Sequence, residues 1–321
     1  MQSFAQLVAQ FNQHFERNHF PSFPSSLYDP NRHFLQIGGK RIRPVLCLMG
    51  NELFSSIHPS TWDAATAIEL FHNFTLIHDD IMDKAPLRRG VQTVHEKYGN
   101  NTALLAGDVM MINAYTYLNK VPASSLHAIL TLFNKTAIEI CEGQQLDMDF
   151  ENQLDVSLEA YLQMIEKKTS VLLAAALMIG AILGGASERN QQLLYSFGLK
   201  LGLAFQVQDD YLDAFGDPAV FGKLVGGDIL ADKKTFLLIH ALNTADSSAR
   251  ERLLYWQKRQ DKDKVAEVIS IYKHCQVDAW ALQLKQRFLD EAMADLDQIA
   301  VVSSRKQSLQ SLADYLIQRQ I

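Results

Sequence analysis

The spacing of apolar residues along this chain predicts one helix after another. Residues 1–17 (MQSFAQLVAQFNQHFER) repeat apolar positions at the period of an amphipathic helix, with polar residues between them. Three prolines in residues 19–31 predict a loop. Proline suits the first helical turn, so a helix is expected to begin near Pro44. Helical spacing then runs from Thr61 to Lys84, where Pro86 ends it, from Thr102 to Asn119, and from Ser124 to about Leu146. Residues 157–184 read as one long or broken helix. Within it the thirteen-residue apolar run Val171–Leu183 is too short to span a bilayer and fits a buried core helix. Glu188 to Phe215 is a further helix, ending at Gly216-Asp217-Pro218. The segment 216–227 (GDPAVFGKLVGG) reads as a mobile loop. Segments 234–243, 248–257, 261–273, 276–297 and 303–319 are helical, and no strand pattern is convincing. The fold class that follows is all-α, a large helix bundle.

Composition narrows this picture. Of 321 residues, 48% are hydrophobic, enough for a large core, and no Ser/Gly/Pro-rich tract, repeat or low-complexity run separates two parts. A single domain over residues 1–321 is expected. A net charge of −6 lacks the basic footprint of a nucleic-acid binder. Cys47, Cys141 and Cys275 have neither zinc nor disulfide spacing and read as thiols of a reducing compartment. The N-terminus has polar interruptions unlike a signal peptide, so a cytoplasmic protein without an integral membrane segment is expected.

Two acidic segments match each other. Asp79-Asp80-Ile81-Met82-Asp83 ends one predicted helix and Asp209-Asp210-Tyr211-Leu212-Asp213 ends another. At 3.6 residues per turn, the three carboxylates of each fall within about 100° of the wheel. Carboxylates at a helix C-terminus oppose one another and the helix dipole, so the arrangement favours a bound cation. Hard oxygen ligands suit Mg²⁺, which keeps waters and is shared with substrate phosphates. Apolar neighbours such as Phe74, Ile77, Val207 and Leu212, together with the repeated spacing, argue against a merely solvated patch.

Basic groups stand apart from the acids. Gly38-Gly39-Lys40-Arg41-Ile42-Arg43-Pro44 offers flexible backbone and three cations ahead of a helix, a phosphate-binding combination. Arg88-Arg89-Gly90 follows the first acid cluster, and Lys167, Lys168, Lys223, Lys233 and Lys234 surround the second. Together they describe one metal-bridged diphosphate and a second, directly bound diphosphate.

In this order the motifs GGKRIRP, HDDIMDKAPLRRG, GQQLD (143–147), KKTS (167–170), FQVQDD (205–210) and GKLVGGDI (222–229), followed by Lys233, closely resemble the trans-isoprenyl (polyprenyl) diphosphate synthase family, from about Phe34 to Leu316. The resemblance implies a helix bundle of the isoprenoid synthase type, a homodimer, and a prenyltransferase that joins isopentenyl diphosphate to an allylic diphosphate. It implies that Asp79, Asp83 and Asp209 ligate three Mg²⁺ ions on the allylic diphosphate, with Asp80, Asp210 and Asp213 acting through water or neighbouring groups. Arg88, Lys168, Lys223 and Lys233 would hold the allylic diphosphate; Gly39, Lys40, Arg43, His72 and Arg89 would hold isopentenyl diphosphate. Thr169 and Gln206 would flank the reacting carbons, while Gln144 and Asp147 would orient the neighbouring helix and lysine. At the place of His72 the family also uses glutamine. Asp232 stands where many members have glycine, a departure that bears on the loop ahead of Lys233.

The implied chemistry is ionisation of the allylic diphosphate, attack by the isopentenyl double bond and loss of a proton, with water excluded by the 216–227 loop and the C-terminal helices. Three other readings fit less well. A class I terpene cyclase needs no second diphosphate site and seldom has an all-Asp second cluster. A metal phosphohydrolase built on His78-Asp79 would need more histidines. A non-catalytic subunit of a hetero-oligomeric synthase would have lost part of the acid clusters. For product length, the family resemblance directs attention upstream of Asp79. Phe74 lies five residues before it, roughly 7.5 Å along the helix, with Thr75 beside it and Phe71 a further turn down. A bulky floor there implies a short product, geranylgeranyl diphosphate ahead of farnesyl diphosphate, although on an ideal wheel Phe74 points away from the acid face.

Overall fold

The computed structural model describes residues 1–153, 155–217, 225–257, 259 and 261–318. Helix α1 (Phe4–Phe15) starts in a capping box: the Ser3 hydroxyl accepts from the Gln6 amide, and the Gln6 side chain returns to the Ser3 amide. Its apolar stripe, Leu7, Phe11 and Phe15, is buried. Then come α2 (Ser25–Gln36), α3 (Ile42–Glu52), α4 (Pro59–Met82), α5 (Val94–Tyr98), α6 (Asn100–Leu118), α7 (Ala123–Asn152), α8 (Leu158–Ile165), α9 (Val171–Leu183) and α10 (Glu188–Phe215). Short Gly227–Leu230 and helices Phe236–Thr244, Ser247–Trp256, Lys264–His274, Val277–Gln298 and Ser303–Gln318 complete the described chain.

Three local expectations change. Within the expected 19–31 loop, Pro24 is the cap of α2, and both the Leu27 and the Tyr28 amides bond its carbonyl. Pro30 lies inside α2, where its missing N–H removes a single early bond that the buried Asn31 and Phe34 outweigh. A two-stranded ribbon, Leu87–Arg88 against Val91–Gln92, turns through Arg89 (φ 53°) and Gly90 (φ 77°). Both central residues have positive φ, the requirement of a type I′ hairpin; two-residue strands leave no alternation to read. The 157–184 helix is continuous but not uniform, because Glu166–Ser170 between α8 and α9 is a turn of π-helix. Most of the 216–227 loop, with Lys223, lies outside the described residues.

The chain forms two compact units. The first, residues 1–133, 175–192 and 301–308, is built around α4, which packs on α3 and, more extensively, on α6. Helix α3 approaches residues 177–184 backbone to backbone: a Cβ on Gly50, Gly180 or Gly184 would strike the main chain of Leu177, Cys47 or Asn51. The second unit comprises residues 134–174, 193–300 and 309–321. There the π turn lies against α7 and α10, and Gly143 and Gly202 give it room: their Cβ atoms would meet the Lys168 backbone and Ser170. Among the described residues no helix is long and apolar enough to cross a membrane.

Candidate active site

The first acid cluster sits where α4 stops. The Lys84 amide bonds the Ile81 carbonyl, and the Ala85 amide bonds that of Asp80, closing a Schellman motif through left-handed Lys84 (φ 51°), two residues before Pro86. The three carboxylates are not equivalent. Asp80 is buried and forked by Arg88, whose Nε lies 2.9 and 3.0 Å from its two oxygens and whose Nη2 lies 2.7 Å from Oδ1. Asp79 is half-buried and Asp83, one turn on, is exposed. His78 turns instead to α6, its ring against Gly107 and Nε2 3.1 Å from the Leu104 carbonyl.

The same unit brings together four of the five residues expected to hold isopentenyl diphosphate: Gly39, Arg43, His72 and Arg89. Arg89 donates to the Gly38 carbonyl and lies over Gly39, where a Cβ would meet its guanidinium. Arg43 Nη1 donates to His72 Nε2 at 3.2 Å, which places the imidazole hydrogen on Nδ1. Burial first, then the charges of Arg43, Arg89, Arg88 and Arg41, hold His72 well below the usual imidazole range, so it is neutral at pH 7. Burial likewise lowers Arg43 to about 10, still charged at neutral pH. Arg41 does not join this group. It is buried, ion-paired to Glu69, donating to Asn12 and lying over Phe15, a structural arginine.

Upstream on α4, Phe71 is fully buried against Phe133 and Phe74, with ring centroids 4.9 and 5.5 Å away. Phe74 also meets His78 at 4.8 Å. Thr75 bonds the His72 carbonyl. The three expected chain-length residues are thus adjacent, and Phe74 is part of an aromatic cluster of tilted and edge-on rings.

The second cluster repeats the pattern of the first. Asp209 and Asp213 are half-buried, and Asp210 is buried. Asp210 accepts from the Tyr161 hydroxyl at 2.5 Å and from Gln206 Nε2 at 2.9 Å. Burial, reinforced by the Asp228 charge, pushes it up to about 7, against the pull of those two hydrogen bonds. Thr169 Oγ1 donates to Gln206 Oε1 at 3.3 Å, so Thr169, Gln206, Asp210 and Tyr161 form one chain. Asp213 accepts the Asp228 amide at 3.0 Å, and burial raises its carboxyl. Lys168, in the π turn, is 2.6 Å from Asp147. Gln144 is buried with neither amide atom hydrogen-bonded among the described residues. Lys233 Nζ lies 3.2 Å from Asp228.

Tyr161 and Glu69 have no motif of their own, and Arg41 of GGKRIRP and Asp228 of GKLVGGDI turn to partners that their motifs do not indicate. Tyr161 in particular reads from sequence as an ordinary core aromatic. Each gains meaning only from the partner that the fold brings to it.

The carboxylates fit a hard divalent cation. In both clusters the middle acid is buried and engaged by protein donors, and the outer two, one turn apart, are more accessible: Asp79, Asp209 and Asp213 are half-buried and Asp83 is exposed. No three His, Cys, Asp or Glu side chains converge as a cage among the described residues; magnesium bound through one or two carboxylates, water and phosphate oxygens has no need of one.

An all-helical chain with paired Asp-rich helix ends and separate phosphate-type basic groups defines an enzyme of phosphorylated substrates. Residues 24–275 match the polyprenyl synthetase family, and the chain belongs to it; it is a prenyltransferase with the all-α isoprenoid synthase fold. It is 42% identical over 250 residues to a short chain isoprenyl diphosphate synthase of Methanocaldococcus jannaschii, covering 77% of this chain and 76% of the relative. It is 38% identical to a geranylgeranyl diphosphate synthase of Methanosarcina mazei, covering 92% and 91%. A crystal structure of a geranylgeranyl pyrophosphate synthase superposes with a TM-score of 0.95 at 39% identity over 99% of both chains.

Proposed function

We propose that this prenyltransferase condenses isopentenyl diphosphate with an allylic diphosphate (dimethylallyl, geranyl or farnesyl) to give geranylgeranyl diphosphate, with farnesyl diphosphate as the next candidate. The observation that carries the reading is the duplicated acid cluster, its middle carboxylate buried and its outer ones more accessible. The names of its relatives support a short product.

In this reading Asp79, Asp83 and Asp209 hold magnesium, three ions in the allylic complex. Magnesium bound there supplies charge stabilisation for the departing diphosphate. Arg88 spends Nε and Nη2 on Asp80, leaving its Nη1 donors for phosphate oxygens. Lys168, steadied by Asp147, and Lys233, with Lys223, bind the same diphosphate. Lys40, Arg43, Arg89 and neutral His72, with the bare backbone of Gly39, receive isopentenyl diphosphate. The allylic C–O bond breaks and its electron pair leaves with the diphosphate. The isopentenyl double bond attacks the allylic cation, and the proton lost from the adjacent carbon goes to the released diphosphate. Thr169 and Gln206, hydrogen-bonded to each other, flank the cation, and Gln206 is held in turn by Asp210. The whole chain acts as one catalytic domain in the cytoplasm. It works as a homodimer, a reading supported by the exposed apolar face of α6, where Leu105 and Ile112 are 57% and 60% exposed.

The test is incubation with Mg²⁺, isopentenyl diphosphate and each allylic diphosphate, followed by chromatography of the dephosphorylated products. Geranylgeraniol or farnesol is expected. A cyclic hydrocarbon, or no coupling by the folded protein, would overturn the proposal.

A further inference from the structure

Two lysines that the proposed function gives to different substrates share an unusual structural neighbour. Lys40 is followed by Arg41, and Lys233 is preceded by Asp232. Both neighbours are left-handed, with φ of 54° and 55°. Left-handed backbone is uncommon for non-glycine residues and strained for a long side chain such as arginine. Each is also fastened by an ion pair reaching into the interior. Arg41, 8% exposed, pairs with Glu69, 5% exposed, and adds a bond from Nε to Asn12 at 3.2 Å. Asp232 pairs at 2.8 Å with Lys264, whose side chain is 2% exposed.

Burying such charges costs desolvation that their attraction only offsets with good geometry, so their use points to positioning more than to stability. The surroundings fit that role. Arg41 caps the start of α3 without a side-chain bond to it, because its guanidinium is drawn back to α1 and α4. The 225–233 segment is pressed onto helix Lys264–His274, where a Cβ on Gly226 would strike Val265. There the Lys233 amide bonds the Asp228 carbonyl at 3.0 Å, immediately after the left-handed turn.

We propose that Glu69–Arg41 and Lys264–Asp232 are positioning pairs. Each locks a left-handed residue so that the adjacent lysine meets its own diphosphate, Lys40 for isopentenyl diphosphate and Lys233 for the allylic one. The inference rests on the assignment of those lysines in the proposed function.

The experiment measures KM for each substrate, and kcat, in Asp232→Ala, Lys264→Met, Glu69→Gln and Arg41→Gly, with fold checked by circular dichroism. Asp232→Ala and Lys264→Met should raise the allylic KM by on the order of tenfold and leave the isopentenyl KM within twofold. Glu69→Gln and Arg41→Gly should do the reverse. Asp232→Asn, which retains both left-handed preference and an acceptor for Lys264, should restore the allylic KM. Should either arm fail to fold, the other and the Asn rescue still decide. Equal rises in both constants, or unchanged constants in folded variants, overturn the positioning role. Lys40→Ala and Lys233→Ala run in parallel: if they leave the KM values untouched, the lysine assignments fall and the inference with them; if they shift the KM values while the pair variants do not, only the inference fails.

Discussion

Asp80 and Asp210 occupy the same place in two matching motifs, yet one meets an arginine and the other a tyrosine and a glutamine. Both solutions withdraw the middle carboxylate from solvent, while its neighbours stay more accessible, and the proposed function gives Asp79, Asp83 and Asp209 to magnesium. Removing an outer ligand should therefore leave the fold intact and cost turnover. Asp79→Ala and Asp209→Ala are each expected to lose about a hundredfold or more in kcat, measured beside an unchanged circular dichroism spectrum. His72 gives a second prediction. Its neutral ring accepts from Arg43 at Nε2 and keeps an N–H donor on Nδ1, and a glutamine amide can do both, so His72→Gln should keep the isopentenyl KM within a few-fold, whereas His72→Lys should raise it sharply. The pH dependence has a definite sign. A histidine with a depressed folded pKa binds fewer protons folded than unfolded, so its burial stabilises above the ordinary value of 6.5 and that contribution is lost as pH falls below it. Urea midpoints between pH 7.5 and 5 should fall less for His72→Gln than for the wild type. The acids and most cations of these groups are legible in sequence, because their spacing is periodic. Glu69, Tyr161 and Lys264 are not, because their roles depend on partners 28, 49 and 32 residues away; Arg41 is legible as a cation of GGKRIRP, but not its turn inward to Glu69.

Among the elements, the long amphipathic helices were readable, and the places where hydrophobic spacing carries no information were not. A helix that opens after Pro24 and tolerates Pro30 looks like a loop, and a hairpin of two-residue strands has no period. The π turn at Glu166–Ser170 is invisible in KKTS itself; only the glycine facing it, Gly143 of GQQLD, hints that something must come close. Gly143→Ala should place a methyl group against the Lys168 backbone. It is expected to destabilise by about 1–3 kcal/mol and, by displacing Lys168 and Thr169, to lower kcat as well. Urea denaturation and steady-state kinetics on the same preparation check both effects; unchanged stability would contradict the close approach.

For the whole molecule, product length is the property that the sequence constrains least. Phe71 and Phe74 belong to one aromatic cluster with Phe133, so truncating either should loosen it. Phe71→Ala and Phe74→Ala are expected to lengthen the product, read by chromatography of the dephosphorylated chains; no change in either variant would put the floor elsewhere. Light scattering at micromolar concentration should report a dimer, and a monomer would sink that assignment. The most direct test of the account is calorimetric titration of inorganic pyrophosphate into wild type, Asp79→Ala and Asp209→Ala, with and without Mg²⁺. If one diphosphate is held through magnesium by carboxylates from both motifs, wild type binds strongly only with Mg²⁺, and each single variant loses that magnesium-dependent binding. Wild-type affinity retained in either variant, or equal affinity without magnesium, would contradict it.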